Sequence, residues 1–226
     1  MKGRFDKNYT DKGYRMHYNK PEPFPYLSKQ VYQFKIELLE IAPVIWRRIQ
    51  VLPLANMWDL HVAIQDAMGW TDSHLHHFEI RKKGKRQADH IGIPDFERST
   101  DLQEVYPGWE IPIYQYFDEL GKEAEYLYDY GDHWVHRVIL EGYLHKGKGV
   151  KYPVCLDGER ACPPEDCGGI NGYSDLLRIL ADPADEEFDE TLTWAGKNWD
   201  PEVFHPDQVR FDNPYKRWVY AFLTHD

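Results

Sequence analysis

A chain of 226 residues, 42% hydrophobic and 15% aromatic, is long enough to bury a sizeable core, and a composition this rich in Trp, Tyr and Phe excludes disorder over most of its length. The formal net charge of -11 opposes contact with a phosphate backbone, so nucleic acid is disfavoured as a partner. No run approaches the roughly 18 apolar residues that a membrane span needs, and the N-terminal stretch has no apolar export segment, which points to a cytoplasmic protein with no membrane contact.

Residues 1–29 differ from the rest: seven Lys/Arg stand against three Asp/Glu, a net of +4 in an acidic chain. With three prolines in "PEPFP", this stretch reads as an extended, flexible N-terminal arm ahead of one domain over residues 30–226. In "VYQFKIEL" the apolar Tyr32, Phe34, Ile36 and Leu38 alternate with polar residues, the period of a half-buried strand. A turn at Ala42-Pro43 leads into a second strand, "VIWRRIQV", so the two predict a hairpin. A helix is predicted from Met57 to Met68, capped by Asn56 with Asp59 three residues on and ended by Gly69.

"HLHHFEIRK" reads as a third strand, the following "KKGKRQADHIGIPDFERST" as an exposed loop, and Ile113 to Leu120 as a short helix. "EAEYLYDY" and "HWVHRVILEGYL" predict a hairpin turning at Gly131-Asp132. "VCLDGERACPPEDCGG" reads as a cysteine-bearing loop, with "CPPEDCGGINGY" marked by its Pro-Pro and Gly-Gly pairs, and "SDLLRILAD" after it is helical, capped by Ser174 or Asn171. Further helical stretches fall around Glu186 to Ala195 and Pro206 to Phe211. Hairpins first and helices later predict an α+β fold, a mainly antiparallel sheet with helices packed on one side in a single compact domain.

Three places concentrate chemistry. If "HLHHF" is a strand, His74 and His76 share a face and can ligate one metal ion, or serve as hydrogen-bonded aromatics at a strand edge. On the second hairpin strand, His136 shares a face with Trp134 and Val138, and a buried imidazole there needs partners that Asp129 or Asp132 could supply; alternatively those aspartates stabilise the turn. Glu165 and Asp166, fixed between two prolines and two glycines, could bind a cation or an amine, or bond the loop to itself. Cys155, Cys162 and Cys167 form the rival structural site for zinc, although they lack paired C-x2-C knuckles. Arg47 and Arg48 beside Trp46 suit ion pairs or aromatic stacking. No P-loop, GxGxxG, GxSxG or HExxH motif is present.

"IAPVIWRRIQV", "LHVAIQDAMGWTDSHLHHFEI", "YLYDYGDHWVHRVIL", "PVCLDGERACPPEDCGGINGY" and "NWDPEVFHPDQV" together resemble, in order and spacing, the plasmid pRiA4b ORF-3-like family. The resemblance implies a single α+β domain of bacteria and archaea, often encoded on plasmids or near mobile elements. It places the family's polar motif residues on Trp46, Arg47, His61, His74, His76, Asp129, Asp132, Trp134, His136, Cys162, Glu165 and Asp166.

Two readings compete. One is a binding or accessory domain whose polar cluster lines a surface for a protein partner or small ligand, with exposed aromatics available for a homodimer. The other is a metal-dependent hydrolase in which His74, His76 and His136, with Asp129 or Asp132, hold Zn²⁺ or Mn²⁺ while Glu165 or Asp166 acts as general base. Nucleic-acid association through the basic arm is a third and weaker reading.

Overall fold

In the computed structural model the described residues are Tyr18, 26–94 and 105–223. The alternation at the start of the domain makes a strand, β1 (Gln30–Leu38), which turns through the cis Ala42-Pro43 bond into β2 (Ile45–Val51). Helix α1 (Met57–Met68) follows, with the predicted cap in full: the Asn56 side chain accepts from the Asp59 amide, Asp59 accepts from the Asn56 amide, and Gly69 ends the helix left-handed.

The remaining strands are β3 (His76–Ile80), β4 (Asp89–Gly92), β5 (Val105–Pro107), β6 (Glu123–Tyr128), β7 (Trp134–His145) and β8 (Val154–Glu159). Three further helices are α2 (Gly169–Leu180), α3 (Phe188–Ala195) and α4 (Pro214–Leu223). The strands form one sheet in the order β5-β4-β3-β6-β7-β1-β2-β8, antiparallel except where β5 joins β4.

The structure corrects several expected elements. The "exposed loop" after β3 contains β4, and the cysteine-bearing "loop" contains β8 at the opposite sheet edge. The helix expected over Ile113 to Leu120 is a single 3-10 turn, Ile113–Gln115, and the one near Pro206 is likewise a 3-10 turn, Pro206–Gln208. Helix α2 starts at Gly169, ahead of both expected caps, Asn171 and Ser174, and α4 is not among the expected helices. Of residues 1–29, only Tyr18 and 26–29 are described, so the expected arm otherwise lies outside the described residues.

One sheet face is the core. Phe34, Ile36, Phe78, Tyr126, Tyr128, Trp134, His136 and Val138 are all buried on it. The opposite face carries ion pairs, Arg48 with Glu141 and Arg137 with Glu37, as expected of an antiparallel sheet wet on one side. Ten of the twelve α1 residues are buried, because α1 lies on the core and is covered in turn by α4, with Tyr18, Trp58, Val62, Trp109 and Trp218 packed together. A helix buried all round sends its polar residues inward as well, and on α1 these are His61 and Gln65. No helix among the described residues is long and apolar enough to cross a membrane.

Candidate functional site

Three turns meet at one end of β3, β6 and β7: residues 71–75 before β3, 129–133 between β6 and β7, and 163–168 before α2. Glu165 ties them together. It accepts from the Thr71 amide at 2.8 Å and from the hydroxyls of Thr71 and Tyr128. Burial pushes its carboxyl up, but these hydrogen bonds outweigh burial and hold it below the usual carboxylate range. Asp132 accepts from the Gly168 amide at 3.1 Å, and Trp70 donates to the Pro163 carbonyl at 2.9 Å.

Gly169 shows why the loop needs glycine. Its φ is +68°, and a Cβ there would stand 2.5 Å from the Asp132 carbonyl oxygen. Four side-chain-bearing residues at this end, Asp72, Asp129, His133 and Asp166, also adopt the left-handed conformation, which aspartate tolerates better than most.

His74 lies in the turn before β3, because that strand begins only at His76. The alternation expected of His74 and His76 on a single strand is therefore broken, and their rings go to different places. The His74 Nε2 is 2.9 Å from Asp166 Oδ1 and 3.7 Å from Asp129 Oδ2 at a partly exposed rim. Asp129 also accepts from the Gly131 amide at 2.8 Å, so it stabilises its turn while facing His74.

His76 is fully buried and stacks on His61 of α1, ring centroids 3.4 Å apart and planes 7° from parallel. The His61 Nε2 is 2.7 Å from Asp72 Oδ1 and its Nδ1 is 2.8 Å from the Tyr126 hydroxyl. Gln65 donates to that same hydroxyl at 2.8 Å, which leaves the Tyr126 proton free to go to His61 Nδ1 and the His61 Nε2 proton to Asp72. Burial holds both imidazoles well below their usual range, so they are neutral. Burial also pushes Asp72 up to about 6.

His136 faces the same core, beside Tyr126. Its Nδ1 donates to the carbonyls of Trp134 and Tyr126, at 3.1 and 3.2 Å, rather than to either aspartate, and burial pushes it down to about 4. His76, His136 and Gln65 thus surround Tyr126, and each keeps a buried polar atom with no hydrogen-bond partner among the described residues.

Among the described residues, two groups of three side chains bring their ligand atoms close enough for one ion: His61, Asp72 and His76, and His74, Asp129 and Asp166. Neither contains a cysteine. Cys155, Cys162 and Cys167 are free thiols, and burial pushes Cys167 up to about 12. Arg47 is buried with no carboxylate partner among the described residues: it donates to the carbonyls of Ala67, Trp46 and Glu159, and its guanidinium lies 3.6 Å from the Phe204 ring centre. Arg48 alone makes the ion pairs expected of the two arginines, with Glu141 and Asp157.

A cleft of about 670 Å³ opens beside these groups, between residues 71–75 and α4. Trp58, Tyr220 and Phe222 give it an aromatic wall, and Asp72, Asp212, Lys216 and Arg217 give it charge. Arg217 is shared by three carboxylates: Asp66 at 2.6 Å, Asp212 at 2.5 Å and Asp72 at 3.7 Å. The side chains of Asp66 and Asp72 are each only 6% exposed, so one guanidinium offsets two nearly buried carboxylates and a third at the surface.

A family model described as plasmid pRiA4b ORF-3-like protein matches residues 30–208. The chain belongs to that family. Uncharacterized protein y4hQ of Sinorhizobium fredii is 36% identical over 168 residues, which cover 74% of this chain and 82% of that protein. The crystal structure of protein of unknown function MM3350 from Methanosarcina mazei superposes with a TM-score of 0.73 at 39% identity, covering 81% of this chain and 99% of the other. In this pRiA4b ORF-3-like chain the matched region holds His61, Asp72, His76 and the three turns, whereas α4 and its Arg217 lie beyond it.

Sequence reasoning reached His61 only through the family resemblance and missed Asp72, Arg217 and the α4 wall of the cleft. His61 carried a usable signal: it sits beside Leu60 and a turn before Ile64, a polar ring among the apolar positions of a predicted helix.

Proposed function

We propose that the protein is a ligand-binding domain whose cleft takes a small organic cation, an amine with an apolar or aromatic body. The excess of carboxylates around Arg217 carries this reading. Asp72 and Asp212 in the cleft lining and Asp66 just behind it bring three negative charges to the Arg217 guanidinium, and with Lys216 the balance of these five side chains is -1. Tyr220 and Phe222, with Trp58 buried behind them, supply ring faces that attract a cation and cover apolar groups.

This reading also accommodates an accessory role beside plasmid functions, which the family's name suggests. The metal-dependent hydrolase reading loses support as it was drawn from the sequence. His74 and Asp129 are at the rim, His76 is behind them against α1, and His136 is bonded to backbone carbonyls.

Isothermal titration with three ligands of one shape and different charge tests the proposal. Benzylamine binds saturably, whereas benzyl alcohol and benzoate bind at least about tenfold more weakly, the change that roughly 1.4 kcal/mol of charge recognition implies. Tyr220→Ala weakens benzylamine several-fold, as loss of a cation–π contact of about 0.5–1 kcal/mol requires. Equal affinities for all three ligands, or no binding by any, would refute it.

A further inference from the structure

We infer that His61, His76 and Asp72 form a buried site for one divalent transition-metal ion of the zinc and iron(II) kind, distinct from the cleft's organic ligand. One ligand atom from each of the three lies within 4.8 Å of the other two, close enough for a single ion once the stacked rings of His61 and His76 turn apart to aim their lone pairs at it. Two imidazole nitrogens and one carboxylate oxygen form the donor set that suits zinc or iron(II), and they leave coordination positions open.

The ligand is indicated independently by His76. Its exposure is zero, and neither Nδ1 nor Nε2 has a hydrogen-bond partner among the described residues. A neutral imidazole always carries one N–H donor and one acceptor, so leaving both unpaired in a core is costly for each atom. A metal ion bound to one nitrogen removes part of that cost.

The surroundings fit a ligating pair. His61 has the Tyr126 hydroxyl on its far nitrogen; with an ion on Nε2 the ring proton moves to Nδ1 and is donated to that hydroxyl, the outer partner that orients a metal-bound imidazole, and Gln65 holds the hydroxyl in place. Asp72 comes from a turn and His76 from the first residue of β3, so two elements converge on α1. Asp72 also lines the cleft, so the site borders the space that small molecules enter.

Zinc-edge anomalous diffraction from crystals of the untagged full chain soaked in Zn²⁺ tests the site without altering the protein. A peak among His61, Asp72 and His76 is expected. No peak there at saturating Zn²⁺, or a peak only at His74, Asp129 and Asp166, overturns the inference. In parallel, wild type loaded with Zn²⁺ and dialysed against metal-free buffer retains about one zinc per chain by mass spectrometry. Asp72→Asn and His76→Gln, which keep size and polarity, each lower retention at least about tenfold. His74→Ala leaves it unchanged. Retention that survives both substitutions also overturns the inference, whereas the benzylamine titration stands or falls without regard to this result.

Discussion

At the scale of single residues, this site is held by backbone conformations that few side chains accept. Gly169 is the sharpest instance, since both its positive φ and the 2.5 Å approach of the Asp132 carbonyl exclude a Cβ. Gly169→Ala therefore destabilises the fold by about 1–3 kcal/mol, seen as a lower urea midpoint with an unchanged slope. The sequence alone marked Asp129, Asp132, Glu165 and Asp166 as polar residues in tight turns, and the structure puts them in those turns. It could not show that His74 and His76 part company, because β3 starts two residues later than the alternation suggests, which leaves His74 in the turn while His76 keeps the face it shares with Phe78. Nor could it single out Asp72, whose importance comes from a helix 11 residues earlier in the chain.

At the scale of elements, α4 closes what the family-matched domain leaves open. Arg217 reaches from it to Asp66 at the end of α1 and to Asp72 in the turn before β3. Arg217→Met leaves two nearly buried carboxylates without their cation and costs about 2–4 kcal/mol, somewhat less than a fully buried pair because Arg217 keeps some exposure. Thermal unfolding of this variant at pH 8 and pH 5 checks the cause. The deficit is larger at pH 8, where Asp66 and Asp72, whose carboxyls burial pushes up, are ionised.

Elements whose burial is set by periodicity were legible from sequence: β1, β2, α1 and the β6–β7 hairpin all fall where alternation, capping and turn residues put them. Those defined by distant contacts were not. Strand β4 has only four residues and exists because β3 and β5 flank it. Strand β8 reads as loop until β2 pairs with it, and α4 is short, with a partly polar face that only α1 explains.

At the scale of the whole molecule, burial of imidazoles makes stability depend on pH. His136 titrates at about 4 when folded and near 6.5 when unfolded, so the unfolded chain takes up a proton that the folded chain refuses. Its contribution is complete above pH 6.5 and lost as pH falls towards 4, on the order of 3 kcal/mol over that range. His61 and His76 act in the same direction, and Asp72, pushed up by burial, opposes them between about pH 4 and 6. Net stability in urea therefore falls on acidification from pH 7 to 4, and His136→Phe flattens the slope.

The molecule as a whole is acidic, and α1, α4 and the turn before β3 bring aromatic rings and the Asp66, Asp72 and Asp212 carboxylates around Arg217 to a single cleft. Two-dimensional NMR of the ¹⁵N-labelled full chain, titrated with benzylamine, locates binding on the protein itself. The amide signals that move are expected to be those of residues 71–75 and of α4 around Lys216, Arg217 and Tyr220. Shifts confined to another part of the chain, or none at saturating benzylamine, would contradict the assignment of the cleft as a cation-binding site.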